Sequence, residues 1–204
     1  MITTLIISGI LVICIIGFIQ VYNRHNRVVK KIDFVGEYRN NFGKLVKHYF
    51  ENNGHYSRFN RSINLDEENY VWLTMNVSRI QNYLGTFGIM DYIAPFQTYK
   101  VSNFQIVVNT IPKFRDGSVQ DFDVNSVDDS LLRYIGYLDE YQKDTLQNLK
   151  NPIIWFREGF REILSIPIFI LSWFGIISNR TLNSIKDSLI YKLVSGLIAL
   201  VTLI

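Results

Sequence analysis

The chain has 204 residues, 48% of them hydrophobic and 19% charged, with a net charge of +3. That length implies one domain with room for membrane segments, and so small a net charge excludes a general nucleic-acid footprint. A single cysteine, Cys14, leaves no disulfide framework within the monomer, and its place in an apolar run makes the thiol a small hydrophobe.

Residues Ile2–Val21 carry no charge. Twenty helical residues rising about 1.5 Å each match a hydrocarbon core of about 30 Å, so this run is predicted to be a transmembrane helix. A cleaved signal peptide needs basic residues before the run and small residues after it; neither is present here. Arg24, Arg27, Lys30 and Lys31 follow directly. By the positive-inside rule they place residues from 22 onward in the cytoplasm and the N-terminus outside, as in a bacterial inner-membrane or plasma-membrane protein.

Residues 22–50 are expected to continue as a helix. Val28, Val35, Tyr38, Phe42, Leu45 and Tyr49 recur at helical spacing and form one apolar stripe. The basic face opposite either touches anionic lipid or is simply the solvated face that topology requires. Asn52-Asn53-Gly54 ends this helix. A second helix is predicted from about Leu65 to Leu84, started by Asp66, Glu67 and Glu68 and stopped at Gly85, with Tyr70, Leu73, Val77, Ile80 and Leu84 inward. Residues 86–111 favour a further helix between Pro95 and Pro112, lined by Phe96, Tyr99, Phe104, Val107 and Ile111. The β-branched run Ile106–Ile111 leaves a strand open, with minor β structure around 99–111.

A polar loop turning at Asp116-Gly117 is expected over 112–130. Within it, Asp121, Asp123 and Asn125 alternate like the start of a calcium loop, with Asp129 nearby as a further candidate ligand. Ser126 stands where such a loop needs Gly, and Leu132 where it needs a bidentate Glu. Asp128 and Asp129 read better as caps of the next helix, predicted from there to Leu149 with Leu131, Ile135, Leu138, Tyr141 and Leu149 inward. The histidines lack the spacing of helical metal pairs, and no nucleophile motif or phosphate-binding loop is present.

Pro152 marks a restart at the membrane. Two apolar stretches follow, about 160–178 and 184–204, with Pro167 expected to kink the first. They fit a hairpin, flanked by Trp155, Arg157 and Arg161, with Lys192 snorkelling from the second arm. The alternative is an amphipathic helix lying in the interface over 152–178.

The expected fold is mainly α: an anchor at 1–21, a small cytoplasmic helical domain at 22–150, and a membrane hairpin at 151–204. The opening span, Tyr22-Asn23-Arg24 and the basic helix after it resemble the start of LemA-type membrane proteins; the C-terminal apolar pair departs from that pattern. The membrane-interface residues are Arg24, Arg27, Lys30, Lys31, Trp155, Arg157, Arg161 and Lys192. No cofactor is expected. The expected function is a membrane-tethered interaction or scaffold protein whose partners are lipid and either another protein or a second copy, not nucleic acid. A membrane-permeabilising effector, with Gly159, Gly175 and Gly196 letting helices approach, is the alternative, and a membrane-bound enzyme the third.

Overall fold

The computed structural model describes residues 2–53, 64–93 and 100–173. Among these the chain is mainly helical: α1 (Ile2–Asn53), α2 (Glu67–Leu84), a short 3-10 turn (Gly85–Gly88), strands β1 (Ile89–Ile93) and β2 (Lys100–Gln105), then α3 (Ile106–Asp116), α4 (Asp121–Asn148) and α5 (Pro152–Trp173). Two compact units emerge. One takes the chain up to Arg27 together with the chain from Gln142 onward; the other is Val28–Tyr141. Among the described residues, 2–27 therefore share a unit with 142–173, and the central unit is shorter at both ends than the expected 22–150.

The central unit is built on the α1 stripe. Val28, Val35, Tyr38, Phe42, Leu45 and Tyr49 are all buried, as their spacing predicts. Against them lie Tyr70, Leu73, Ile80 and Leu84 of α2, Ile106, Val107, Ile111 and Phe114 of α3, and Val127, Leu131, Tyr134 and Leu138 of α4. Aromatic edges order this core: Phe114 meets Phe42 and Tyr49 edge-on, with centroids 6.0 and 5.3 Å away. The Tyr38 hydroxyl donates to the Leu73 carbonyl at 3.4 Å, and burial pushes its pKa well above the ordinary tyrosine range.

Helix α2 begins as expected. The Asp66 side chain accepts from the Asn69 backbone N–H at 3.2 Å and from the Asn69 side chain at 2.6 Å. The side-chain hydrogen bond is the main force holding the Asp66 carboxyl below its usual range. Gly85 stops the helix at φ +52°, a conformation that costs other residues more. Gly88 leaves room for Gln81, whose side chain donates to the Gly88 carbonyl at 2.9 Å; a Cβ there would strike it.

The stretch 86–111 differs from the helix favoured by its sequence. β1 and β2 pair antiparallel, Ile89 opposite Gln105 and Ile93 opposite Lys100. An extra residue on β2 makes a bulge, accommodated by Asn103 at φ +57°. The Asp91–Lys100 ion pair at 2.7 Å and the Tyr92–Phe104 stack at 5.2 Å bridge the strands. Phe96 and Tyr99 lie outside the described residues. The β-branched run Ile106–Ile111 is helical, and the helix passes through Pro112 to Asp116. Pro112 forfeits a backbone hydrogen bond, but Ile111 and Phe114 on either side are 1% and 0% exposed, and their burial offsets that loss. Gly117, at φ +66°, supplies the left-handed cap.

The loop expected over 112–130 shrinks to 117–120, because α4 starts at Asp121 and not at Asp129 or Ser130. The cap is Asp123, whose carboxylate reaches back to the Gln120 N–H at 3.0 Å, the reciprocal half of a capping box. The inward face of α4 is also rotated from expectation: Tyr134 is buried, while Tyr141 is 38% exposed. α5 begins at Pro152 as predicted and remains helical through position 167. The second arm of the expected hairpin lies outside the described residues.

Phe42→Asp or Leu73→Asp places an unpaired charge in this core and should cost about 4 kcal/mol or more. Limited proteolysis checks it: cleavage within 28–141 should become rapid, and intact resistance in both variants would refute the packing.

Candidate functional site

Of the residues expected at a membrane face, Lys30 and Lys31 belong to the central unit, while Arg24, Arg27, Trp155, Arg157 and Arg161 lie in the unit made by the chain ends. α1 and α5 meet there through two glycines. A Cβ on Gly17 would collide with the Trp155 carbonyl, and one on Gly159 with the Ile13 carbonyl. Phe18 and Trp155 pack edge to face with centroids 5.0 Å apart. The Trp155 indole N–H is buried and finds no hydrogen-bond partner among the described residues.

Beside this crossing sits Glu158, its side chain 8% exposed. Arg24 lies 3.0 Å from the carboxylate, Arg157 3.1 Å and Arg161 3.9 Å. Desolvation of a lone carboxylate here is costly, so these guanidinium groups are what make its burial tolerable. At the next residue of α1, His25 Nδ1 lies 3.0 Å from the Thr145 hydroxyl. That hydroxyl gives its proton to the Gln142 carbonyl at 2.9 Å, so it accepts from the imidazole. Cys14 is a free, half-buried thiol.

The remaining basic residues behave separately. Arg27 donates to the Asn23 carbonyl at 3.3 Å and is exposed, as is Lys30. Lys31 sits over the Tyr83 ring, 5.2 Å from its centroid. Lys192, Gly175 and Gly196 lie outside the described residues.

The aspartates of the supposed calcium loop do not converge. Asp121, Asn125 and Asp129 are exposed positions on α4, while Asp123 is buried and paired with Lys113 at 2.6 Å. A helix points these side chains in different directions, whereas a calcium loop needs backbone that curls around the ion. Asp128, read as a cap, is instead held by a two-pronged contact from Arg39 at 2.7 and 3.1 Å. That pair borders a shallow cleft of about 450 Å³ lined by Gly36, Gly43, Lys44 and Lys47. Among the described residues, no three His, Cys, Asp or Glu side chains gather as a metal site.

The sequence singles out Arg24, Arg157 and Arg161, but not their pairing with Glu158. Arg24 and Glu158 are 134 positions apart, and nothing local links them. The one available signal was Glu158 itself, an acid flanked by arginines in an otherwise apolar stretch.

Asp123 and Asp121 should separate cleanly in a denaturation experiment on the purified chain. Asp123→Ala strands Lys113 and removes the α4 cap, costing about 3 kcal/mol. Asp121→Asn should shift stability by about 0.5 kcal/mol or less. Equal losses would mean the Lys113 pair carries no stability.

Compared with known proteins, the chain matches no protein family, no curated protein and no solved structure.

Proposed function

We propose that this chain is a membrane-tethered interaction or scaffold protein: α1 crosses the bilayer with its N-terminus outside, and the Val28–Tyr141 unit works at the cytoplasmic face. The observation that carries this reading is the change of character along α1. Before residue 22 the helix leaves Ile6, Ile7, Leu11, Val12 and Ile15 at least half exposed, a surface suited to lipid. From Val28 the same helix buries a full stripe in a protein core. Among the described residues it is the one helix long and apolar enough to cross a membrane. Arg24, Arg27, Lys30 and Lys31 at the changeover supply the orientation.

An interaction role draws on the aromatic surface of the central unit. Tyr134, Tyr137 and Tyr141 stack along α4 with centroids 6.1 and 6.3 Å apart, and Phe87 joins them at 5.7 Å from Tyr134. Phe87, Tyr137 and Tyr141 are exposed. Aromatic side chains offer large contact area at low entropic cost, which is what a docking face needs.

Topology is tested with reporters. One fused after Asn53 should be cytoplasmic and one placed before Met1 external; an exported Asn53 fusion overturns the orientation. Replacing Arg24, Arg27, Lys30 and Lys31 together with Gln should give mixed orientations.

The scaffold role is tested in growing cells. A photocrosslinking residue at Tyr137 should yield a discrete adduct with a protein partner or a second copy. Overexpression should not permeabilise the cell. Permeabilisation that disappears when 152–204 is deleted would favour the effector alternative instead.

A further inference from the structure

The contacts between α1 and α5 have a direction. They pass from Phe18 back to Ile13 on α1 as they advance from Trp155 to Gly159 on α5, so the two helices run antiparallel. The crossing lies within the apolar stretch Ile2–Val21 and not at its end. It therefore draws Glu158 alongside the anchor, and Arg24 reaches back along α1 to meet it at 3.0 Å. Of the three guanidinium groups around Glu158, those of Arg157 and Arg161 belong to its own helix and travel with it. Of these three, Arg24 is the one that reaches Glu158 from the other helix.

We propose that the Arg24–Glu158 pair and the Gly17–Gly159 crossing form a latch that holds α5 against the membrane anchor. The proposal rests on α1 being that anchor. Latched, α5 is a second membrane helix packed antiparallel on the first. Backbones this close gain Cα–H···O and dispersion contacts, which drive helix association where no hydrophobic force is available. Released, α5 carries Arg157, Glu158, Arg161 and Glu162 among Trp155, Phe156 and Phe160 with no cation from α1. That composition suits an amphipathic helix lying in the interface. The latch thus biases one segment between two positions, inserted and interfacial, and a partner or lipid that competes for Arg24 or Glu158 shifts the balance.

The test uses the full chain in its native membrane, with Cys14→Ser, Phe18→Cys and Trp155→Cys, joined by a short thiol crosslinker. Most molecules should crosslink. Glu158→Arg should lower the yield about tenfold, a loss of about 1.4 kcal/mol in docking, and the exchange Arg24→Glu with Glu158→Arg should restore it. Gly17→Leu should abolish crosslinking whatever the charges. Protease resistance of residues 28–141 confirms that each variant is folded. An undiminished yield in Glu158→Arg, or no recovery in the exchanged pair, overturns the latch. Alkaline carbonate separates the two levels of the argument. A chain that stays in the membrane but does not crosslink refutes the latch and leaves the anchor standing. A chain that carbonate releases refutes the anchor, and the latch with it.

Discussion

Everything in this molecule hangs on one uninterrupted helix. α1 runs from Ile2 to Asn53 without a proline, about 78 Å at 1.5 Å per residue. A helix satisfies its backbone hydrogen bonds internally, so it asks nothing of its surroundings and passes from one medium to another without a seam. The side chains then decide what each part touches. Up to Val21 they are apolar on all sides, and from Val28 they are apolar on one stripe only. Between the two stand Arg24 and His25, which make polar contacts with Glu158 and Thr145.

Periodic features were legible in the sequence and irregular ones were not. The stripes of α1 and α2, the acidic start of α2 at Asp66, Glu67 and Glu68 and its stop at Gly85 follow from spacing, the helix dipole and glycine chemistry alone. Residues 86–111 defeated that approach because two breaks fall within 26 residues. Neither a bulged hairpin nor an eleven-residue helix fills an averaging window. Ile106, Thr110 and Phe114 do recur at steps of four, as do Val107 and Ile111, and all five are buried. The helix favoured up to Pro112 is found over Ile106–Ile111 despite β-branching, and it continues through the proline expected to end it. Burial in the core outweighed both.

The aspartate-rich segment failed for a related reason. Alternating carboxylates attract a metal reading when they are assumed to lie on a loop, and the loop was assumed because its residues are polar. Once α4 starts at Asp121, one carboxylate caps the helix and meets Lys113, another meets Arg39, and the others face solvent. Charge complementarity across the fold explains these residues more fully than ligand geometry does. No local pattern announces it, since Asp128 and Arg39 are 89 positions apart.

On the proposed reading of α1 as a membrane anchor, the same logic bears on α5. Hydropathy treats a helix as isolated, and on that basis Arg157, Glu158, Arg161 and Glu162 are a heavy burden. A charged residue costs about 3 kcal/mol at the centre of a span, while each Ile, Leu or Phe returns only about 0.5 kcal/mol. A lone helix with this composition belongs at the interface. Pairing alters the sum in two ways: Arg24 satisfies the buried carboxylate from outside the helix, and the glycine crossing replaces lipid contacts with backbone packing. On that reading, whether α5 spans is a property of the helix pair and not of α5 alone, set by Arg24 together with the Gly17–Gly159 crossing.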